Sequence, residues 1–187
     1  MMERTLVLIK PDGIYRSLVG KIISTIEDTG LKVVAMKMVW PDRSVAQRHY
    51  PPDENWMREI GMKAKATYKD QGIENKEEPV EIGRRVWQQL LDYLLSGPVI
   101  ALVFEGNDAI YIVRKLTGAT EPRKADPGSI RGKFSSDSYS LADRSKRAVK
   151  NLIHASDSPE AAKREISIWF KENEIVNYTR SDEQAQY

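Results

Sequence analysis

The stretch NLIHASDSPEAAKREISIWF, residues 151–170, joins a short apolar run to a strongly marked helix start. Ser158 can serve as the N-cap of this helix, Pro159 fits its first position, and Glu160 suits the positive helix end. His154, one of only 2 histidines in the chain, is therefore expected where a strand ends and a loop leads into the helix. Such a junction can hold a reactive ring on a rigid element while leaving it open to a substrate.

Apolar periodicity outside this stretch predicts an α+β protein. Buried strands are expected at residues 5–9, 31–40, 99–104 and 148–153. Helices are expected at residues 18–26, 44–50, 81–95, 108–116 and 159–170. This order of elements suits a ferredoxin-like sandwich, in which helices pack against a mainly antiparallel four-stranded sheet.

The segments between these elements carry weaker patterns. Residues 53–80 permit one amphipathic helix before Gly72, and residues 118–133 are interpreted as a loop rich in turn-forming residues. Residues 135–147 are interpreted as a polar surface excursion, and residues 171–187 as a largely polar tail. A chain of 187 residues is large enough for one substantial core, so a single domain is expected.

The composition of the chain limits its class of function. The 29 basic and 27 acidic residues leave a net charge of +2, so no global field favours nucleic acid or an anionic membrane. The chain has no cysteine, which excludes disulfides, a thiol nucleophile and a cysteine zinc site. The longest apolar run, residues 98–104, is too short to span a bilayer, and the N-terminus lacks the layout of a signal peptide. A cytoplasmic location is therefore expected.

His154 and Glu165 form the first candidate pair for catalysis. An unperturbed imidazole titrates near ~6.5, so it is mostly neutral at pH 7 and can act as a nucleophile or a general base. Glu165 is spaced four residues from Ala161 and three from Ile168, beside the buried face of the last helix. A carboxylate there can hold one imidazole nitrogen and leave the other free to react. The alternatives are a histidine hydrogen-bonded at a strand end and a solvated glutamate.

Three basic residues could form an anion site near His154. Lys10 ends the first buried strand, and Arg114 and Arg131 are far from it along the chain. If the fold brings them together, Lys10 supplies a point charge and the arginines supply forked donors suited to phosphate oxygens. The alternative is ordinary surface charge.

Thr120 and Asn151 are possible uncharged donors to a sugar or a phosphate. Taken singly, each is equally consistent with a hydrogen bond in a turn or at a strand end. His49, which precedes Tyr50, is given no catalytic role.

No protein metal site is expected. Two histidines and no cysteine leave mainly carboxylates, and these lack the spacing of a calcium loop. The chain has no Walker-type loop and no GxGxxG motif. A basic cluster could contact nucleic acid, but it lacks interleaved aromatic residues, so a solvated surface is favoured and nucleic acid is not an expected partner. Its members are Arg144, Lys146, Arg147 and Lys150.

A series of short segments resembles nucleoside diphosphate kinases, and the resemblance runs through most of the chain. In order, the segments are ERTLVLIKPDG, LVGKII, LKVVAMKM, RHY, SGPVIALVFEG, LTGATEP, DPGSIRGKF, NLIHASDS and EISIWF. The resemblance implies ping-pong transfer of the γ-phosphoryl group of a nucleoside triphosphate to a nucleoside diphosphate, through a phosphohistidine at His154. It also implies Mg²⁺ bound through the nucleotide phosphates and a homo-oligomer, a hexamer or a tetramer.

The resemblance also implies roles for individual residues. Beside His154, the catalytic residues would be Glu165, Ser156 and Tyr50, where Ser156 and Glu165 support the histidine. The nucleotide-binding residues would be Lys10, Arg114, Thr120, Arg131 and Asn151. Phosphoryl transfer needs an in-line nucleophile and positive charge around the transferring oxygens, which this set supplies.

Three departures from the family pattern accompany the resemblance. The expected single domain, residues 1–187, contains insertions at approximately 53–85 and 135–147. The first insertion leaves the base-stacking residue open among Val86, Trp87 and another residue, with Leu90 at the neighbouring apolar position. The second could form a flap over the site or an oligomer contact. Ala155 stands where the family usually has glycine.

Two other functions are consistent with the sequence. One is a histidine phosphotransferase that acts on a protein partner, and the other is a nucleotide- or nucleic-acid-binding protein that has retained the fold. Radiolabelled ATP followed by GDP or CDP separates them from the first hypothesis, because only a nucleoside diphosphate kinase returns the label to a free nucleotide.

Overall fold

Four β-strands form one antiparallel sheet in the computed structural model, which describes residues 2–70, 72, 74–181 and 183. The strands are β1 (Met2–Ile9), β2 (Lys32–Val39), β3 (Val99–Asn107) and β4 (Ile153–Ala155). Their order across the sheet is β2-β3-β1-β4, and each neighbouring pair is antiparallel. The expected ferredoxin-like α+β class is confirmed.

Helices cover both faces of this sheet. Their bounds in the described residues are α1 (Pro11–Tyr15), α2 (Val19–Glu27), α3 (Arg43–His49), α4 (Glu54–Asp70), α5 (Pro79–Leu95), α6 (Ala109–Thr117), α7 (Ile130–Phe134), α8 (Tyr139–Arg144) and α9 (Pro159–Trp169). Short 3-10 turns occupy Pro122–Lys124 and Glu172–Glu174. Among the described residues, no helix combines the length and apolarity needed to cross a membrane.

The two faces of β1 explain its continuous apolar sequence. Val7 and Ile9 pack in a core with α2, α6 and α7, whereas Leu6 and Leu8 pack in a second core with α3, α5 and α9. A strand that is buried on both faces has no polar face, so its sequence does not alternate. The same alternation of side chains places His154, which pairs with Leu8, on the face covered by α3 and α9.

The first three expected strands are confirmed, but the position of the fourth is wrong. A strand was expected at residues 148–153, whereas β4 begins at Ile153 and has His154 at its centre. The reason is a tight turn at Leu152, whose φ is 67° and whose neighbours close a hydrogen bond from the N–H of Ile153 to the C=O of Asn151, 2.7 Å. His154 therefore lies within the sheet instead of beyond the end of a strand.

Two interpretations of irregular segments are also incomplete. The expected loop at residues 118–133 contains a 3-10 turn and most of α7, whose N-cap Ser129 accepts from the N–H of Gly132. The expected surface excursion at residues 135–147 contains α8 and buries Asp137 and Ala142. Asp137 is buried because Arg147 pairs with it at 2.6 Å and the N–H of Lys150 donates to it.

The C-terminal segment is more closely attached to the sheet than a polar tail would be. The N–H of Val176 donates to the C=O of Val34, and the Tyr178 hydroxyl donates to the C=O of Val33. Lys32 donates to the C=O of Tyr178 at 2.6 Å. Part of the expected tail, residues 182 and 184–187, lies outside the described residues.

Helices α4 and α5 form a hairpin whose backbones touch at two glycines. A Cβ on Gly61 would lie 1.7 Å from the C=O oxygen of Pro79, and one on Gly83 would lie 1.9 Å from that of Met57. Such distances are far inside van der Waals contact, so only glycine allows this approach. The hairpin thus depends on both residues having no side chain.

Gly83→Ala should destabilise the protein while Gly20→Ala should not. We expect Gly83→Ala to lower the free energy of unfolding by about 1–3 kcal/mol, because the new methyl group forces α4 and α5 apart. Gly20 lies in α2, where an added Cβ would meet nothing within 4 Å, so Gly20→Ala should raise it by up to ~1 kcal/mol through helix propensity. Urea unfolding measures both. Equal effects of the two substitutions would contradict the close packing at Gly83.

Candidate active site

Glu165 on α9 holds His154 through a shared carboxylate oxygen. Nε2 of His154 lies 2.8 Å from Oε2 of Glu165, and the Ser156 hydroxyl donates to the same oxygen at 2.7 Å. Burial opposes ionisation of the carboxyl, but the hydrogen bonds and charges of His154, Ser156 and Arg164 outweigh it and lower the pKa of Glu165. Glu165 is therefore ionised at neutral pH.

This contact determines which nitrogen of His154 is free. An ionised carboxylate can only accept hydrogen bonds, so Nε2 of the neutral ring carries the proton and Nδ1 carries the lone pair. Within the described part of the chain, Nδ1 of His154 makes no hydrogen bond, and the side chain keeps 20% exposure. The arrangement presents one nucleophilic nitrogen to the solvent side of the site.

The residues that hold His154 and Glu165 in place lie close to them in the sequence. The side chain of Ser158 accepts from the N–H of Ala161 at 3.1 Å, which begins α9 at the expected residue. Ser156 is buried and exchanges hydrogen bonds with Leu6 in β1, where it accepts from the N–H through its hydroxyl and donates to the C=O through its N–H. Strand β4 and helix α9 are thereby held at a defined distance from each other.

Lys10 and Asn151 form a second polar group at the end of β1. Lys10 donates to the side-chain oxygen of Asn151 at 2.7 Å, and the Asn151 amide donates to the C=O of Thr120 at 3.0 Å. Lys10 is only 4% exposed. Burial and then the charge of Arg131 lower the pKa of Lys10 to about 7, although Asp12 opposes this. The Lys10 amine therefore changes its protonation state near neutral pH.

A strained turn beneath Asn151 is fixed by residues that sequence reasoning missed. Asp12 accepts from the N–H of Leu152 at 3.2 Å and from the Tyr93 hydroxyl at 2.6 Å. The Tyr93 oxygen in turn accepts from the N–H of Asn151. A positive φ at a leucine is unfavourable and persists only where its surroundings hold it. The motif KPDG placed Asp12 beside Lys10, but no local pattern pointed to Tyr93.

The side chain of Arg131 bonds mainly to backbone C=O groups. Its guanidinium donates to the C=O groups of Asn151 at 3.1 Å, Gly118 at 2.9 Å and Ile153 at 2.7 Å. Three of the five N–H groups of an arginine are thus used, and two remain for a ligand. Burial and then the charge of Arg114 lower the pKa of Arg131 to about 10. The structure therefore places Arg114, which is exposed near the end of α6, within electrostatic reach of Arg131.

Thr120 contributes to the site through its backbone C=O group. Its side chain is exposed, and the C=O accepts the hydrogen bond from Asn151 described above. Its position beside Asn151 brings it to the same end of the sheet as Lys10.

Tyr50 and His49 form an aromatic cluster against His154. The ring of Tyr50 lies 6.4 Å from that of His154, and the ring of His49 lies 4.5 Å from each of them. Burial and then the charge of Glu165 raise the pKa of Tyr50. Sequence reasoning assigned no role to His49, since nothing in the motif RHY shows that this residue is buried against His154.

Three side chains of the site are of types that can bind a metal ion: His49, His154 and Glu165. Each offers one ligand atom, and these atoms lie within 4.8 Å of one another. However, the indole N–H of Trp169 donates to Nδ1 of His49 at 3.3 Å. A metal at Nε2 would require a proton on Nδ1, facing that indole donor, so the hydrogen bond to Trp169 opposes metal binding.

The base-stacking candidates occupy different environments. The indole N–H of Trp87 donates to the C=O of Tyr50 at 2.9 Å, and its ring packs against the core under α5. Val86 is half-buried on the adjacent position of the same helix. Trp87 therefore joins α5 to the end of α3.

A histidine with one unbonded nitrogen lies at the same end of a ferredoxin-like sheet as a buried lysine and two arginines, and this arrangement defines a class of protein. The class is that of enzymes that pass a phosphoryl group through histidine, since the site has a nucleophile and positive charge for phosphate oxygens but no dedicated cage of oxygen ligands in the described residues.

Comparisons with known proteins narrow this class to a family. The family model described as nucleoside diphosphate kinase matches residues 3–58 and 62–175. A nucleoside diphosphate kinase of Pyrobaculum aerophilum is 47% identical over 180 residues, which cover 94% of this chain and 98% of that protein. The crystal structure of an NDP kinase from the same organism has a TM-score of 0.90 at 44% identity and covers 95% of this chain and 100% of that one.

A third comparison concerns a structure with bound molecules. It is a transition state mimic of the nucleoside-diphosphate kinase from Borrelia burgdorferi with bound vanadate and ADP. Its TM-score is 0.81 at 40% identity, over 98% of this chain and 96% of that one. The chain belongs to the nucleoside diphosphate kinase family, and its activity is phosphoryl transfer between nucleoside triphosphates and diphosphates.

Lys10→Met should change how stability depends on pH. The pKa of Lys10 is about 7 in the folded protein, against 10.5 for an ordinary lysine, so between these values the unfolded chain binds more protons. The Lys10 contribution to the free energy of unfolding is therefore fully present above pH 10.5 and is lost progressively as the pH falls from 10.5 to 7. Lys10→Met should lack this increment, which we expect to be roughly 2–4 kcal/mol.

Urea unfolding at pH 7 and pH 10 measures the increment. Lys10→Met should be relatively more stable at pH 7 than at pH 10 when each value is compared with wild type. Lys115→Met, at an exposed position on α6, is the control and should show no such difference. A constant effect of Lys10→Met at both pH values would contradict the lowered pKa.

Proposed function

We propose that the chain acts by the ping-pong route, with Nδ1 of His154 as the nucleophile. Nδ1 attacks the γ-phosphorus of a nucleoside triphosphate, an N–P bond forms, and the bond from that phosphorus to the bridging oxygen breaks. The nucleoside diphosphate leaves, and a second one takes the phosphoryl group by the reverse steps. The observation that carries this proposal is the contact of Nε2 with Glu165, which leaves the lone pair on Nδ1.

Glu165 and Ser156 would stabilise the intermediate as well as orient the ring. Attack by Nδ1 while Nε2 keeps its proton makes the ring cationic. The buried carboxylate of Glu165, 2.8 Å away, lies where that positive charge develops. Preorganised charge of this kind is among the largest contributions to catalysis. Ser156 keeps Oε2 of Glu165 in place by its own hydrogen bond.

The basic residues would bind the phosphates. Lys10, with a pKa of about 7, would gain a proton when an anionic nucleotide enters, because nearby negative charge favours the charged form. Arg131 has two N–H groups left for phosphate oxygens, and exposed Arg114 would approach from α6. Fixing the reactants in line can supply roughly 7–11 kcal/mol of the reduction in barrier.

The remaining site residues would surround the nucleotide. We propose that Thr120 and Asn151 contact the sugar or the phosphates, since both lie beside Lys10, and that Tyr50 lines the pocket next to His154. For the base, Val86 is a better candidate than Trp87, because the indole of Trp87 is already bonded to Tyr50.

We infer that Mg²⁺ enters with the nucleotide. The group of possible metal ligands found in the described residues contains two imidazoles and one carboxylate. Magnesium prefers an octahedron of oxygen ligands and keeps several waters, so this group does not suit it. The phosphate oxygens of the nucleotide would be its ligands, and the ion would reduce the negative charge that His154 approaches.

We also infer a homo-oligomer, a hexamer or a tetramer. Strand β2 is at one edge of the sheet. Within the described residues, Glu174 of the C-terminal segment pairs with the side chain of Lys37, and this segment bonds to the backbone of β2 only in its first part, at Val33 and Val34. Beyond it, Met36 and Met38 are 59% and 58% exposed, and Trp40 is 67% exposed. An apolar, unpaired edge is a site for association with another chain. This edge supports an interface with another copy of the chain.

We further propose a single domain over residues 1–187 with insertions at about 53–85 and 135–147. The first comprises α4 and the start of α5, the second contains α8, and the two meet where Tyr68 lies beside Asp143. A cytoplasmic location is proposed from the absence of cysteine.

His154→Ala should abolish formation of an acid-labile phosphoenzyme, because the attacking nitrogen is removed. Nucleotide affinity should stay within about threefold, since the phosphate donors are unchanged. Labelled ATP followed by an acid quench measures the first quantity, and calorimetric titration with ADP measures the second. Wild type must form the phosphoenzyme and return the label to GDP or CDP. A variant that still transferred phosphate near the wild-type rate would remove His154 from this role.

A further inference from the structure

His49 is a buried histidine in direct contact with His154. It ends α3, has 2% exposure, and packs edge-to-face on His154 with ring centroids 4.5 Å apart and an interplanar angle of 82°. The ring of Trp169 lies 5.7 Å from that of His49. His154 is thus bounded by Glu165 at one nitrogen and by a second imidazole against its ring.

The protonation state of His49 follows from its contacts. Burial, and then the charges of His154, Lys10 and Arg164, lower the pKa of His49 well below 6.5, so its ring is neutral. The indole of Trp169 can only donate, and its nitrogen lies 3.3 Å from Nδ1 of His49. Nδ1 therefore accepts, and the proton of the neutral ring is on Nε2.

The Nε2–H group of His49 makes no hydrogen bond to any residue that the structure describes, and it is fully buried. A buried donor without an acceptor is unfavourable and is uncommon away from functional sites. One nitrogen of His49 lies within 4.8 Å of a nitrogen of His154 and of an oxygen of Glu165. The ring that carries this unpaired group is therefore in direct contact with the reacting histidine.

We propose that His49 is a positioning residue for phosphoryl transfer, whose ring is fixed as the Nε2–H tautomer by Trp169 and holds the His154 ring with Nδ1 open to the nucleotide. Two properties of His49 suit this role. Its ring fills the space beside His154, which prevents rotation away from Glu165. Its neutrality avoids repulsion of the cationic ring that forms when Nδ1 bonds to phosphorus.

The charged and titratable groups around the two rings come from each neighbouring element. They are Glu165 and Arg164 on α9, Lys10 at the end of β1, and Tyr50 after α3. Of these, Lys10 and Arg164 both disfavour a second positive charge at His49. Glu165 is the one carboxylate in this set, and burial together with the positive charges still lowers the pKa of His49, which keeps its ring neutral.

The tautomer can be measured without an activity assay. The chain has only 2 histidines, so long-range ¹H–¹⁵N spectra of ¹⁵N-histidine-labelled protein contain two ring systems, and His154→Ala assigns the one that remains to His49. We expect His49 to be the neutral Nε2–H tautomer from pH 6 to pH 8. In Trp169→Phe the ring should shift toward a mixture of tautomers. A protonated or Nδ1–H ring at His49 in wild type would overturn the proposal.

Two substitutions then separate positioning from packing. In His49→Gln the amide nitrogen stands near the place of Nε2, whereas in His49→Asn it stands near that of Nδ1. We expect the rate of phosphoenzyme formation at saturating ATP to be at least about tenfold lower in His49→Asn than in His49→Gln. The KM for ATP should be the same in both, because buried His49 does not reach the nucleotide.

A purely structural role predicts a different result. In that case both rates would fall together, in proportion to the loss of thermal stability, and this would overturn the proposal. The inference rests on the proposed role of His154 as nucleophile. A wild type that forms no phosphoenzyme would contradict that role, while the spectra decide the tautomer of His49 independently.

Discussion

The hydrogen bond between Nε2 of His154 and the carboxylate of Glu165 is the constraint on which the active site depends. It fixes one tautomer of a side chain that otherwise has two, and so decides which nitrogen can attack. The bond requires a fixed distance between β4 and α9. Ser156 maintains that distance through β1, and the Ser158 cap determines where α9 begins. Local helix chemistry is thus connected directly to the reactivity of one ring.

The positive side of the site is held at a cost in stability. Lys10 and Arg131 are buried, and burial lowers the pKa of each. Leu152, in the same part of the site, keeps a positive φ. Its N–H donates to the carboxylate of Asp12, and its C=O accepts from the N–H of Lys10. Strain and buried charge of this kind are commonly located at functional sites, where the rest of the fold stabilises them. The two apolar cores on the faces of β1 supply that stability here.

The sequence predicted the elements whose patterns are long and local. The continuous apolar run of β1, the periodic face of α2 and the capped start of α9 are examples, and the spacing of Glu165 along α9 predicted its inward position. The fourth strand was misplaced because the turn at Leu152 depends on Asp12, far away in the chain. Helices α7 and α8 are too short for periodicity to reveal them.

The role of His49 could not be predicted for a similar reason. Its hydrogen-bond partner Trp169 is 120 residues away, and its contact with His154 exists only after β4 and α3 have come together. In the sequence it is a polar residue beside a tyrosine. In the folded protein His49 is the second imidazole of the site. One hydrogen-bond partner decides the tautomer of each ring, Trp169 for His49 and Glu165 for His154.

The position of the phosphoryl group on His154 tests the central claim most directly. Enzyme labelled with ¹⁵N-histidine can be treated with ATP, freed of nucleotide and examined by ³¹P and ¹⁵N NMR. The account predicts that phosphorus is bonded to Nδ1 and that Nε2 keeps its proton. Phosphorus bonded to Nε2 would contradict it, because the nitrogen that Glu165 holds would then be the one that reacts.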